Sequence, residues 1–178
     1  MKTVVLIGMY HKYQLGETGS EYYKQLLKET CDRYCIEGIA EEIKHDGPYL
    51  AESFCLEKGL EHLIIEPKPS EHEALGIPLM DDLENLIMMD YSCDYPEISP
   101  WPSVPSFDNL PEKVFEAYEI GKQPIHRARE KEWLKRILSF DVDTILCICG
   151  SAHFNYFSAL MQESGIDVRE EYEDWKSS

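Results

Sequence analysis

Short apolar runs alternate along the chain with stretches in which apolar residues recur every three or four positions. The first pattern is typical of β-strands and the second of amphipathic helices. The apolar runs predict strands at residues 4–8, 34–42, 60–65, 144–149 and 167–171. The helical spacing predicts helices at residues 20–33, 48–58, 81–90, 111–118 and 123–140, and from residue 151 or 152 to 165. Such alternation builds βαβ units, so we expect an α/β fold in three layers, with a mostly parallel sheet of about five strands flanked by helices.

Two of the predicted strands end in the same four-residue pattern, glycine followed three positions later by histidine. The first strand ends at Gly8 and is followed by His11, and the fourth ends at Gly150 and is followed by His153. The carboxyl ends of parallel strands meet at one edge of a sheet, which is where ligands bind in open α/β folds. We therefore predict that the two imidazoles face each other in a functional site, although two unrelated loop histidines would give the same pattern.

The second predicted strand ends in a pair of glutamates, Glu41 and Glu42. In an extended chain, successive side chains point to opposite faces, so only one of the two carboxylates should enter the site. The sequence does not choose between them. A solvated strand end is the alternative interpretation.

The loop that follows the first strand is polar and adjoins His11, so we interpret it as a substrate loop. Tyr10 and Gln14 are its predicted substrate-binding residues. At the other strand end Ser151 is the corresponding residue, and the glycines Gly8 and Gly150 complete the predicted substrate-binding set.

A segment at about residues 91–111 contains five prolines and several aromatic residues. So many prolines exclude regular structure, and so many aromatic side chains favour packing over free movement. We interpret the segment as an arm or lid that packs on the site or on a second subunit in a homodimer, or as a loop on its own domain. The chain length otherwise fits a single domain, residues 1–178.

The charge balance restricts the class of partner. The chain has 17 Lys and Arg residues against 34 Asp and Glu residues, a formal net charge of -17. Such a surface is repelled by nucleic acid and by anionic lipid, so we expect a small-molecule or peptide substrate and neither nucleic-acid nor membrane partners. The first apolar run is too short for a signal-peptide core, and six cysteines in 178 residues are not a disulfide framework. We therefore expect a cytoplasmic protein.

The order of these motifs resembles a known superfamily. The two Gly-x-x-His strand ends, the Ile-Ala-Glu-Glu strand end and an Arg-Glu-x-x-Trp-Leu segment beginning at Arg129 are similar to the superfamily that groups the Tiki and TraB proteins with the erythromycin-esterase-like and ChaN-like folds. The resemblance implies one pocket, and some relatives are metal-dependent peptidases, some are metal-free lactone hydrolases and some bind haem. Carried over residue by residue, the implied catalytic residues are His11, Glu41, Glu42, Arg129, Glu130 and His153.

Two imidazoles and a carboxylate suit a divalent Mn, Zn, Co or Fe ion. The predicted ligands are His11, Glu41 and His153, with the second glutamate as general base and Arg129 at the developing oxyanion. The first hypothesis is thus a hydrolase of an ester, lactone or amide bond, with a metal-free variant in which histidine or glutamate activates water. The second hypothesis is a regulatory protein that binds a small ligand or haem in the same pocket without turnover.

Overall fold

The computed structural model describes residues 1–16, 19–43, 47, 49–95 and 110–176. The strands are β1 (Thr3–Met9), β2 (Gly38–Glu41), β3 (Glu61–Ile64), β4 (Thr144–Gly150) and β5 (Asp167–Trp175). The helices are α1 (His11–Gln14), α2 (Ser20–Tyr34), α3 (Leu50–Lys58), α4 (His72–Leu75), α5 (Met80–Tyr91), α6 (Glu112–Ser139) and α7 (Phe154–Glu163). Two 3-10 turns, Pro69–Glu71 and Ser151–His153, precede α4 and α7.

The described chain divides into two compact units. The first unit is Met1–Lys68 with Glu130–Ser178, and the second is Pro69–Arg129. That the chain forms a single domain stays a prediction. Among the described helices none has both the length and the apolarity needed to cross a membrane.

All five strands lie in the first unit and form one parallel sheet in the order β3-β2-β4-β1-β5. This confirms the predicted fold class. Strands β1 and β4 are neighbours in register, with Gly8 opposite Cys149 and Met9 opposite Gly150. Strand β2 pairs with the other side of β4, so the strand ends that carry the two histidines and the two glutamates are adjacent.

Helices cover both faces of the sheet, because side chains alternate between the faces along every strand. On one face Val5 and Ile7 share a core with Tyr23 and Leu27 of α2. On the other face Val4 and Leu6 share a core with residues of α7 and of the last part of α6, namely Trp133, Ile137, Phe157 and Met161. The sheet is therefore the middle of three layers.

The amino-terminal boundary predicted for β2 is wrong. Tyr34 is the last residue of α2, and the strand begins only at Gly38. Cys35 ends the helix in the left-handed conformation, with φ 53°, and its backbone N–H donates to the carbonyl of Cys31. A left-handed cap is usually glycine, so this helix end carries no sequence signal.

The prediction of two helices between residues 111 and 140 is also wrong. Two helices were expected at residues 111–118 and 123–140, but α6 runs without a break from Glu112 to Ser139, through Pro124. Gly121, which suggests a helix end, instead lies where the side chain of Leu83 of α5 packs closely against α6. Residues 96–109 of the predicted arm lie outside the described residues, so its role stays a prediction.

Candidate active site

The site lies at the carboxyl edge of the sheet, where the chain leaves β1 and β4 in opposite directions. After β1 it enters α1 and α2 on one face, and after β4 it enters α7 on the other. In open α/β sheets, the point where the connections of two neighbouring strands diverge is the usual binding position. His11 is the first residue of α1, and His153 is the last residue of the 3-10 turn before α7, so both histidines lie where the chain diverges.

Glu42 lies between the two histidines. Its side chain is almost fully buried, and its Oε1 atom is 3.8 Å from Nε2 of His11 and 3.6 Å from Nε2 of His153. Its other oxygen, Oε2, accepts a hydrogen bond of 2.7 Å from the backbone N–H of Gly150. Three groups that can hold or release a proton therefore converge on one point, and β4 fixes the position of the carboxylate.

Gly150 keeps this point open. A methyl group on its α-carbon would lie 3.3 Å from Nε2 of His11 and 3.4 Å from Oε2 of Glu42. The backbone at Gly150 is ordinary extended chain, φ -62° and ψ 140°, so no backbone strain demands glycine here. The space beside the two side chains is what a larger residue would fill.

The ring of His153 is also held at Nδ1, the nitrogen that points away from Glu42. Nδ1 is 2.7 Å from Oε1 of Glu130, a fully buried residue of α6. The ring also makes an edge contact with the indole of Trp133, at 4.8 Å between ring centroids. A carboxylate at Nδ1 favours the tautomer with its proton on that nitrogen, so the Nε2 lone pair faces Glu42.

Trp133, which contacts the ring of His153, also bonds to the segment after β3. Its Nε1–H donates a 2.9 Å hydrogen bond to Oε2 of Glu66, two residues after that strand. We expect Trp133→Phe to lower the free energy of unfolding by about 2 kcal/mol, because a buried indole loses a hydrogen bond to a carboxylate. Urea denaturation measures the change. The control is Glu66→Gln, which keeps an oxygen acceptor and should cost less than about 1 kcal/mol. Equal stability of Trp133→Phe and wild type would contradict the contribution assigned to this bond.

His11 is more open, with 46% of its side chain exposed. Its Nδ1 lies 2.8 Å from Oε1 of Gln14, one turn along α1. The amide nitrogen of Gln14 lies 3.2 Å from Oε1 of Glu41 and 3.4 Å from the backbone carbonyl oxygen of Glu42. Gln14, predicted to bind substrate, is fully buried, and its amide oxygen contacts His11.

Glu41 has a separate set of partners. Its Oε1 accepts a 2.7 Å hydrogen bond from the hydroxyl of Tyr23, and its Oε2 is 2.9 Å from Nε2 of His62. Burial, and next the charge of Glu41, raise the pKa of Tyr23 well above its usual value, so the hydroxyl stays a donor. Sequence reasoning missed Tyr23 and His62 as site residues. The only signal was the position of Tyr23 on the inner face of α2.

The remaining predicted residues lie around this centre. Gly8 is buried where the backbone of Glu173 and the ring of Phe154 approach it, and Ser151 donates a 2.9 Å hydrogen bond to Asp174. Tyr10 is exposed, with the ammonium groups of two lysines, Lys12 and Lys176, over its ring. Arg129 is the last residue of the second unit, and its role at an oxyanion stays a prediction.

The structure places Glu42, rather than the predicted ligand Glu41, beside both histidines. The donor types of His11, Glu42 and His153 fit a divalent ion. Among the residues that the structure describes, however, no group of three or more His, Cys, Asp or Glu side chains is arranged to hold a metal ion. The three side chains are thus of types that bind divalent ions, but they are not arranged as a metal-ligand group.

Comparison with known proteins finds no family model, curated protein or solved structure that matches this chain. The resemblance to the Tiki, TraB and erythromycin-esterase-like superfamily stays a prediction.

Proposed function

We propose that this protein is a hydrolase of ester, lactone or amide bonds, with His11, Glu42 and His153 as its catalytic residues. The observation that carries the proposal is the approach of two imidazole Nε2 atoms to one buried carboxylate oxygen, at 3.6 and 3.8 Å. Each imidazole has its Nδ1 held by another side chain, Glu130 or Gln14. Such support orients a catalytic histidine and selects its tautomer.

In the proposed reaction the site activates water. An Nε2 lone pair or the Glu42 carboxylate removes a proton from water as the water oxygen bonds to the substrate carbonyl carbon. The carbon–oxygen or carbon–nitrogen bond then breaks, and the protonated group returns its proton to the leaving alcohol or amine. Two imidazoles beside one carboxylate allow one group to act as the base while another acts as the acid.

A divalent ion is a separable part of the proposal. His11, Glu42 and His153 would hold it, and its chemistry would be to lower the pKa of a bound water to about 7 and to polarise the substrate carbonyl. The proton transfers described above are carried by the protein's own side chains. Location in the cytoplasm belongs to the same proposal and agrees with the six free thiols, the usual state in a reducing compartment.

The test is a screen with p-nitrophenyl esters, aliphatic lactones and peptide p-nitroanilides, each with and without added Mn, Zn, Co and Fe. The variants are His11→Ala and His153→Ala, and the control is Glu61→Gln, at the opposite edge of the sheet on β3. We expect turnover of at least one bond class that falls by about 10²-fold or more in both histidine variants and is unchanged in the control.

Metal content, measured by plasma mass spectrometry on untagged protein purified without chelator, decides the role of the ion. Near-stoichiometric metal that is lost in both histidine variants would support a metal-dependent hydrolase. Turnover in metal-free protein would support water activation by histidine and glutamate alone. No turnover of any bond class, with or without metal, would overturn the hydrolase proposal.

A further inference from the structure

Gln14 connects the exposed histidine of the site to a fully buried carboxylate. Its amide oxygen is 2.8 Å from Nδ1 of His11, and its amide nitrogen is 3.2 Å from Oε1 of Glu41. Gln14 and Glu41 are both completely buried, so water does not compete for the contact between them. The orientation of the amide therefore decides whether Nδ1 of His11 faces an oxygen acceptor or an NH₂ donor.

The carboxylate of Glu41 fixes that orientation. Oε1 of Glu41 accepts a 2.7 Å hydrogen bond from the hydroxyl of Tyr23, so this oxygen acts as an acceptor. The group of Gln14 that faces Glu41 must therefore be the NH₂ group, which leaves the amide oxygen toward His11. The 3.4 Å contact from the same nitrogen to the carbonyl oxygen of Glu42 has the same requirement.

We propose that Gln14, oriented by Glu41, is a positioning residue that holds His11 in the tautomer with its proton on Nδ1. The Nε2 lone pair of His11 is then directed to Oε1 of Glu42, as the Glu130 contact directs that of His153. The amide of Gln14 fixes the tautomer of His11 and transfers no proton. Glu41 thus acts on the site through Gln14, and this role goes beyond the proposed hydrolysis because it requires no substrate.

The test is the tautomer of His11, observed by long-range ¹H–¹⁵N correlation on protein labelled with ¹⁵N-histidine. Spectra are recorded near pH 8.5, about two units above the ordinary imidazole pKa, and His11→Gln and His153→Gln assign the signals. In wild-type protein we expect the Nδ1–H form of His11 to exceed the Nε2–H form at least tenfold. The His153 signal in the same spectra is the internal reference.

Three variants distinguish the role of Gln14 from that of Glu41. Gln14→Met removes the acceptor and Glu41→Met removes the group that orients Gln14, so both should give a mixture of His11 tautomers. Glu41→Gln can still present an oxygen to Gln14 and an NH₂ group to His62, so it should keep the wild-type tautomer.

A wild-type His11 with its proton on Nε2, or with a mixture of forms, would overturn the proposal even if no variant folds. An unchanged tautomer in Gln14→Met would also overturn it. Because the spectrum needs no turnover, failure of the hydrolase proposal and failure of this one are observed separately.

Discussion

Replacing Glu42 by glutamine is expected to lower kcat/KM for hydrolysis by about 10²–10⁴-fold, the usual contribution of a general acid or base. The amide has nearly the shape of the carboxylate, but it cannot take a proton from water. Its NH₂ group would also donate toward the Nε2 atoms of the two histidines, which lie 3.6 and 3.8 Å from the Glu42 oxygen. The variant thus removes one base and turns an N–H donor, in place of an acceptor oxygen, toward the other two.

The same substitution should leave the fold intact. The amide oxygen can still accept the hydrogen bond from the backbone N–H of Gly150. We expect the free energy of unfolding to change by less than about 1 kcal/mol, because the hydrogen bond from Gly150 is kept. Urea denaturation and steady-state kinetics on the same preparations distinguish loss of chemistry from loss of structure.

The matched control is Glu61→Gln, the same change on β3 at the opposite edge of the sheet. It should retain both wild-type stability and wild-type kcat/KM. Wild-type activity in Glu42→Gln would remove Glu42 from the mechanism, and an equal loss in both variants would show that the effect is one of net charge.

The edge of the sheet that carries the site was predictable because it depends on local patterns. Apolar runs that end at Gly8 and Gly150 mark two strand ends, and parallel pairing brings such ends together. The sheet in the structure pairs those two strands directly. The fold class and the placement of both histidine segments at one edge therefore follow from local sequence patterns, whereas the direct pairing of β1 with β4 is given by the structure.

The choice between Glu41 and Glu42 was not predictable because it depends on contacts distant in sequence. Glu42 is fixed by the backbone of Gly150, 108 residues away. Glu41 is occupied by Tyr23 and His62, which are 18 and 21 residues away on a helix and on the neighbouring strand. Alternation along a strand shows that two side chains diverge. Which face holds the histidines is known only once the connections after β1 and β4 are placed.

Substitution by alanine is expected to have different effects at the two glycines of the Gly-x-x-His segments: loss of stability at Gly8 and loss of activity at Gly150. Gly8→Ala should destabilise the protein by about 3 kcal/mol, at the upper end of overpacking costs. The new methyl group would overlap the backbone carbonyl of Glu173 and lie 3.1 Å from the ring of Phe154. Strand β5 shifts its register against β1 on both sides of Ile7. A backbone carbonyl in a paired strand cannot turn aside as a side chain can, so β5 must move.

Gly150→Ala is the matched control for stability and the contrasting case for activity. Its methyl group would contact Nε2 of His11 at 3.3 Å and Oε2 of Glu42 at 3.4 Å. His11 is nearly half exposed and can rotate away, so the free energy of unfolding should change by less than about 1 kcal/mol. That rotation separates Nε2 of His11 from Glu42, and hydrolysis should fall by at least tenfold.

Urea denaturation of both variants, with kinetics on the folded protein, tests the pair. A typical domain is stable by 5–15 kcal/mol, so Gly8→Ala should remain folded at 25 °C and retain activity under those conditions. If both variants lose the same stability, the two glycines have one structural role. If Gly150→Ala keeps full activity, the space beside His11 and Glu42 is not used by the reaction. The predicted separation assigns strand packing to Gly8 and access to the site to Gly150.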